Sequence, residues 1–134
     1  MKAVFADSYY FLALLSDEDA GHDRAVAVSR TLAGAILTTT WVLTEVADAM
    51  ADPRHRASFV AYVQALRADP MVDIVPASQE VFELGLELYA RRPDKDWPLT
   101  DCISFVVMHK HKLSEALTAD HHFEQAGFKV LLKQ

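Results

Sequence analysis

The chain has 134 residues, 51% of them hydrophobic, which is enough to bury the core of one domain. Its 13 basic and 19 acidic residues give a formal net charge of −6, which argues against a simple cationic nucleic-acid binder. Its one cysteine, Cys102, excludes an internal disulfide and a zinc site built from cysteines.

Short apolar runs alternate with longer helical patterns along the chain. The predicted elements, in chain order, are a strand at Lys2–Ala6, helices at Ser8–Ser16 and Asp23–Ala33, a strand at Ala35–Leu37, helices at Thr40–Ala51 and Arg54–Ala68, a strand at Val72–Val75, helices at Ser78–Arg91 and Leu99–His111, and strands at Ala116–Thr118 and Phe128–Leu132. Because strands separated by helices indicate βαβ units, we predict an α/β fold. We expect a three-layer α/β/α sandwich with a central, mostly parallel sheet of four to five strands, whose carboxyl edge is the place to look for a ligand.

The sequence predicts one domain over residues 1–134 and a cytoplasmic location. No uninterrupted apolar segment is long enough to span a bilayer. The N-terminal stretch does not resemble a signal peptide, because Asp7 interrupts its apolar run and no small-residue cleavage pattern follows. The four glycines are scattered and form no phosphate-binding loop.

Four acidic residues lie near the ends of these elements. Asp7 and Asp120 each follow directly after a predicted strand, although a helix cap explains Asp7 and an ordinary turn explains Asp120 equally simply. Glu45 borders the apolar face of its helix, where a solvated glutamate is the alternative. Asp101 lies in the first turn of a helix that is apolar nearly all round, where a carboxylate is costly to bury unless it is paired or binds a metal. Stabilisation by the helix N-terminus is the alternative for Asp101.

Taken together, the four acids favour a metal site more strongly than any one of them does. Carboxylates that converge in one crevice repel one another, and a divalent cation relieves the repulsion. Oxygen ligands select Mg²⁺ or Mn²⁺ over zinc. We therefore predict that Asp7, Glu45, Asp101 and Asp120 form a metal-binding catalytic quartet.

The sequence resembles the PIN-domain family, and within it the VapC-type toxins of bacterial toxin–antitoxin pairs. The resemblance covers essentially the whole chain and rests on FADSYYFLALL, TTTWVLTEVADAM, DKDWPLTDCISFVVM and LTADHHFEQAGF. The order Asp, Glu, Asp, Asp matches the metal-binding quartet of the family. The resemblance implies an endoribonuclease that hydrolyses RNA through water activated by Mg²⁺ or Mn²⁺. It also implies a protein antitoxin that occludes the acidic crevice, and a homodimer.

Several neighbours of the quartet are candidates for supporting roles. The candidates are a fifth acid, three hydroxyls that would position water or phosphate, and three cations that would contact the RNA backbone: Asp96; Ser8, Thr100 and Thr118; Arg91, Arg92 and Lys95. Helix capping is the alternative for Asp96 and Ser8, strand packing is the alternative for Thr118, and Thr100 has the same ambiguity. A solvated helix end is the alternative for the three cations. His121 and His122 are expected to be exposed on a turn, and no zinc geometry is expected from the histidines. Cys102 is expected to be a packed small hydrophobe, and Trp97 a core or interface residue.

Two other functions stay open at this point. The first is a non-catalytic PIN-fold module that only binds a protein partner, and it would bind no Mn²⁺. The second is a Mg²⁺-dependent phosphatase with Asp7 as its nucleophile. Phosphatases of the haloacid-dehalogenase type have a second Asp two residues further on, where this chain has Tyr9.

Overall fold

The structure is a computed structural model that describes residues 3–133, and this range contains five strands and seven helices. In chain order they are β1 (Val4–Ala6), α1 (Ser8–Leu15), α2 (His22–Thr31), β2 (Ile36–Thr39), α3 (Thr40–Ala49), α4 (Pro53–Ala68), β3 (Val72–Val75), α5 (Gln79–Arg91), α6 (Leu99–Lys110), β4 (Glu115–Leu117), α7 (His121–Gln125) and β5 (Lys129–Val130). The predicted α/β alternation is confirmed, with most boundaries shifted by one or two residues.

The five strands form one sheet in the order β3-β2-β1-β4-β5, and every neighbouring pair is parallel. From β1 the chain adds β2 and β3 on one side, and it then returns to add β4 and β5 on the other side. With right-handed crossovers, α1 to α4 cover one face of the sheet and α5 to α7 cover the other. The predicted parallel sheet between two helical layers is therefore confirmed.

Side-chain caps set where several helices begin, and the cap of α3 bears directly on the site. Thr39 ends β2, and its Oγ1 accepts a hydrogen bond from the backbone N–H of Val42 at 3.1 Å. Because this cap starts α3 at the carboxyl end of β2, Glu45 lies only one and a half turns beyond the sheet edge. The neighbouring Thr38 is also buried, and its hydroxyl donates to the carbonyl of Ala6 at 2.8 Å.

An aromatic cluster holds the last two helices on the sheet. Phe105 of α6 packs edge-to-face on Phe123 of α7, with ring centroids 5.0 Å apart, and Phe123 also lies 6.3 Å from Phe5 of β1. All three rings are almost completely buried. Such contacts stabilise beyond the area they bury, by about 0.5–1.5 kcal/mol each. They place the starts of α6 and α7 next to the ends of β1 and β4.

The structure corrects the sequence prediction in two places. Helix α7 was not predicted, because five residues are too few to show a helical period, and this helix depends on the burial of Phe123 and on its cap. The last strand is shorter than Phe128–Leu132, covering only Lys129–Val130. Lys2, the predicted start of the first strand, lies outside the described residues.

Between residues 3 and 133, no helix combines the length and the apolar character needed to cross a bilayer. The cytoplasmic location and the single-domain extent of 1–134 stay predictions. 

Helices α5 and α6 approach closely at Gly85. A Cβ built at this position would collide with Cγ1 of Ile103 and would lie 3.1 Å from the Cα of Ile103. We expect Gly85→Ala to destabilise the protein by roughly 1–3 kcal/mol, because overpacking outweighs the better helix propensity of alanine. Urea unfolding of the variant and the parent measures the difference, and a variant as stable as the parent would contradict the expected clash.

Candidate metal centre

The carboxyl ends of β1 and β4 meet where the chain changes its direction of travel across the sheet. Asp7 follows β1 and Asp120 lies just beyond β4, and the two strands are paired neighbours. Ligands of open α/β sheets bind in the crevice at such a switch point. The topology therefore brings two of the predicted acids to the expected position.

Asp7 is buried, with 4% of its surface exposed, and its closest side-chain partner is Thr118. Thr118 donates from Oγ1 to Asp7 Oδ2 at 3.0 Å and accepts from the backbone N–H of Asp120 at 3.1 Å, so it ties the two strand ends together. Asp7 occupies the N-cap position of α1, but within residues 3–133 its side chain makes no capping hydrogen bond. Burial, followed by the nearby charge of Asp101, raises the pKa of Asp7 to about 7.

Asp101 is also buried, with 5% of its surface exposed. Burial raises its pKa to about 7, and the carboxylates of Asp120 and Glu45 add to the effect. Stabilisation by the N-terminus of α6 would lower this pKa, so burial and like charge outweigh the helix end. A carboxyl group held in this way costs folding energy unless a cation compensates.

Glu45 is half-buried on α3 and faces the same crevice. Its pKa is raised by burial first and then by the charges of Asp120 and Asp48, while a hydrogen bond with the side chain of Ser8 opposes the rise. The alternative of a fully solvated Glu45 is therefore wrong.

Asp120 caps α7, since its Oδ1 accepts a hydrogen bond from the backbone N–H of His122 at 2.9 Å. The charges of Glu45, Asp101 and Asp120 each raise the pKa of at least one other member of the quartet, and Asp7 is among the members affected.

The placement of His122 differs from the prediction. Its side chain is only 14% exposed, and its Nδ1 lies 3.1 Å from Oδ2 of Asp101 and 3.3 Å from Oδ1 of Asp120. When Asp101 is ionised its carboxylate only accepts, so Nδ1 then donates the hydrogen bond to Asp101. The expectation of an exposed turn histidine is wrong for His122. His121 is exposed as expected, but it lies on α7 and not on a turn.

The structure also places His122 among possible metal ligands, which the sequence did not predict. Asp101, Asp120 and His122 each offer a ligand atom, and these atoms lie within 4.8 Å of one another. The one local signal for this was the spacing in ADHHF, where an acidic cap precedes a buried Phe by three residues and so indicates a short helix. The contact between positions 101 and 122 is tertiary and has no local signature.

The remaining candidates lie around the quartet at different distances. Asp96 has an 85% exposed side chain, and its Oδ1 lies 3.4 Å from Nε2 of His122. Thr100 is half-buried beside Asp101 in the first turn of α6. Arg91 is exposed at the end of α5, and Arg92 pairs with Asp94 at 3.0 Å. The third candidate cation, Lys95, is half-buried in the following loop.

Two predictions about packed residues are confirmed. Trp97 is 5% exposed and packs edge-to-face on Phe105, with ring centroids 5.1 Å apart. Cys102 is buried, and burial raises the pKa of its thiol. Neither is exposed enough to serve as a surface stacking platform or as an accessible nucleophile.

The donor set of this site fits a hard divalent cation. Four carboxylates supply oxygen ligands, and their mutual repulsion is the electrostatic condition that a bound cation relieves. The single imidazole at the edge is compatible with Mn²⁺ as well as with zinc. Within the described residues the cluster contains no thiolate, the ligand that most favours zinc.

Comparison with known proteins shows the family. The model of the PIN domain family matches residues 4–129. The chain belongs to the PIN-domain family. The 23S rRNA-specific endonuclease VapC20 of Mycobacterium tuberculosis is 28% identical over 127 residues, which cover 93% of this chain and 95% of that protein.

Solved structures show the same PIN fold. The crystal structure of M. tuberculosis VapC20, described as a Sarcin-Ricin loop cleaving toxin, matches with a TM-score of 0.85 at 25% identity and covers 93% of this chain and 95% of that one. FitAcB from Neisseria gonorrhoeae matches with a TM-score of 0.69 at 18% identity, covering 96% of each chain. VapBC2 from Rickettsia felis, bound to a DNA fragment from its promoter, matches with a TM-score of 0.68 at 8% identity, covering 96% of this chain and 97% of that one. The last two likenesses concern the fold alone.

Proposed function

We propose that this protein is a Mg²⁺- or Mn²⁺-dependent endoribonuclease whose metal-binding catalytic residues are Asp7, Glu45, Asp101 and Asp120. The observation that carries the proposal is the convergence of these acids, from four separate segments, at the carboxyl edge of the sheet. Burying carboxyl groups that repel one another destabilises a fold, so a functional reason is needed. Membership of the PIN-domain family and the likeness to an rRNA endonuclease support RNA as the substrate.

The chain itself supplies positioning and the exclusion of water. A bound divalent cation would acidify water and stabilise negative charge on the phosphate during hydrolysis. Thr118 holds one oxygen of Asp7, and His122 holds one oxygen of Asp101, so neither carboxylate is free to rotate. The burial of Asp7 and Asp101 lowers the local dielectric and strengthens their interaction with a cation. No side-chain nucleophile is required.

Hydroxyls and cations around the quartet complete the proposed site. Ser8 holds Glu45, and Thr100 lies beside Asp101 where it would position water or phosphate. Asp96 acts through its contact with His122 and not as a direct ligand. The cations at the end of α5 and in the following loop would hold the RNA backbone: Arg91, Arg92 and Lys95.

We also propose that the protein is a VapC-type toxin with a cognate antitoxin. Its structural neighbours include toxin–antitoxin complexes, among them FitAB and VapBC assemblies. An acidic crevice attracts a basic side chain, which would block the quartet. A homodimer is part of the same proposal. Size-exclusion chromatography of the protein alone tests the homodimer. The same measurement on protein co-expressed with the product of an adjacent short reading frame tests the antitoxin.

The decisive test of the activity is incubation of the pure protein with total RNA in Mg²⁺, in Mn²⁺ and in EDTA, followed by mapping of the cut ends. We expect discrete cleavage sites with either cation and none in EDTA. A parallel reaction with single-stranded DNA tests the choice of nucleic acid. Equal cleavage in EDTA would exclude a metal-dependent mechanism, and no cleavage of any RNA would overturn the proposal.

The two alternative functions give different results. A module that only binds a protein would bind no Mn²⁺, whereas we expect calorimetry to detect binding at the quartet. A phosphatase would form a phosphoaspartate at Asp7, but position 9 carries Tyr9, an aromatic residue that cannot supply the acid expected there. Acid-stable labelling of Asp7 by a phosphate donor would favour the phosphatase.

His122 is expected to be a positioning residue for the cation. His122→Ala removes the donor to Asp101 and should weaken Mn²⁺ binding roughly 10- to 100-fold, as measured by calorimetry. His122→Asn keeps an N–H donor near the Nδ1 position and should retain most of the affinity. His111→Ala is the matched control, because His111 is exposed at the C-cap of α6, at the opposite end of that helix from Asp101. Equal Mn²⁺ affinity of the two alanine variants would remove His122 from the site.

A further inference from the structure

A cavity of about 690 Å³ lies beside the quartet, between the end of α5, the loop 92–98 and the start of α6. Its walls include Tyr89, Arg92, Lys95, Asp96 and Trp97. The volume is within the range of small-ligand sites. Asp96 connects the cavity to the quartet, since it lies 3.4 Å from His122, which in turn contacts Asp101.

The walls of the cavity combine aromatic rings, a guanidinium and an amine, which suits a planar ligand that carries a phosphate. Arg92 lies over the ring of Trp97, 5.0 Å from its centroid, and Asp94 holds the same guanidinium at 3.0 Å, so this planar cation is fixed in place. Tyr89 is an aromatic side chain on the rim that is 51% exposed. Among residues 3–133, no carboxylate forms a salt bridge with Lys95.

Unpaired RNA has the properties that these walls recognise. Its bases can be splayed out and stacked on aromatic rings or on arginine planes, while its phosphates pair with cations. Arg92 and Asp94 neutralise each other, and Asp96 lies close to Lys95 in the chain, so the cavity carries little net charge. Stacking should therefore contribute more of the affinity here than phosphate neutralisation does.

We propose that this cavity binds one nucleotide of an unpaired RNA segment, next to the nucleotide whose phosphate is cleaved. Tyr89 stacks on the base, and Lys95 contacts the phosphate. This inference rests on the proposed endoribonuclease function and extends it, because a base held beside the quartet selects which phosphate reaches the carboxylates. It also explains how a chain with a net charge of −6 retains an anionic strand.

Binding without cleavage tests the cavity. Fluorescence anisotropy of a short fluorescein-labelled, unpaired RNA is measured in an Asp7→Asn background with Mg²⁺. Tyr89→Ala should weaken binding roughly 5- to 150-fold without changing its salt dependence, and Tyr89→Phe should bind like the parent. Lys95→Ala should reduce the slope of log affinity against log salt by about 0.7.

Lys129→Ala is the matched control for loss of a lysine. Lys129 is 73% exposed at the first residue of β5, at the amino end of the sheet and away from the quartet. The Lys129→Ala substitution should leave both the RNA affinity and the slope of log affinity against log salt unchanged. Circular dichroism and urea unfolding verify that each variant is folded.

The outcomes separate this inference from the proposed activity. If the Tyr89→Ala and Lys95→Ala variants bind RNA as the Lys129→Ala variant does, the cavity is not a nucleotide site, whether or not the parent cleaves RNA. If an acidic peptide binds the cavity more tightly than RNA does, its ligand is a protein and the inference is overturned. If RNA binding depends on Tyr89 but the intact quartet cuts no RNA, the endoribonuclease proposal falls, while the cavity remains a binding site for an unpaired nucleotide.

Discussion

Asp101→Asn is expected to reduce RNA cleavage by at least about a thousandfold, and Asp7→Asn to do the same. Each substitution removes a negative oxygen ligand from the place where a cation would be held. Loss of the several kcal/mol that a metal supplies to the transition state corresponds to this factor or more. Initial rates on a labelled RNA, with Mg²⁺ and with Mn²⁺, measure the change. Normal cleavage by purified Asp101→Asn would show that the quartet is wrongly assigned.

These variants must also be folded for the result to have meaning. Both carboxyls are buried among like charges, so replacing either with a neutral amide of the same shape removes repulsion. We therefore expect both variants to unfold at higher urea concentration than the metal-free parent at pH 8. Asp23→Asn is the matched control, since Asp23 is exposed in the first turn of α2, away from the crevice. It should change neither the cleavage rate nor, by more than about 1 kcal/mol, the stability.

Much of the fold could be predicted because the long elements carry their own pattern. Helices of eight to sixteen residues, such as α1 and α4, show a period or a clear boundary signal, as the Asp52-Pro53 pair does at the boundary between α3 and α4. The end of β2 was harder. Thr38 and Thr39 read as a polar connection, yet both are fully buried. Their hydroxyls are satisfied by a carbonyl of β1 and by the cap of α3, contacts that form only once the sheet is assembled.

The acids of the site were accessible from sequence and their partners were not. Strand ends and an apolar helix point to Asp7, Asp101 and Asp120, because position in an element determines where a side chain lies. Whether these groups bind the metal is still a prediction. The hydrogen bond from His122 to Asp101 joins residues that are 21 positions apart, on two different helices. No local period encodes such a contact, so the electrostatic partner of Asp101 required the structure.

The metal-free protein is expected to lose stability as the pH rises from about 4 to above 7. Asp7 and Asp101 have a pKa of about 7 in the folded state, compared with 3.8 for an ordinary aspartate. Between these values the folded state binds more protons than the unfolded state does. The free energy of unfolding is therefore greatest below pH 4 as far as these two groups are concerned, and it falls until the folded pKa is passed.

The size of this effect follows from the same shifts. A shift of about three units in one carboxyl corresponds to roughly 4 kcal/mol. The two groups share their mutual repulsion, so their combined effect is less than twice that figure, and we expect a loss of roughly 3–5 kcal/mol between pH 5 and pH 8. Urea unfolding in EDTA at a series of pH values measures it. Constant or rising stability over this range would contradict the buried, repelling pair.

A cation should reverse the loss, which links the stability of the fold to the proposed chemistry. Mn²⁺ at one hundred times its dissociation constant adds about 2.7 kcal/mol to a folded state that alone binds it. The gain should be large at pH 8, where the carboxyls are ionised, and small at pH 5, where protons occupy them. In the Asp7→Asn variant both the pH-dependent loss and the Mn²⁺-dependent gain should shrink together, because one carboxyl underlies both. A variant that lost one dependence and kept the other would show that the repulsion and the cation involve different groups.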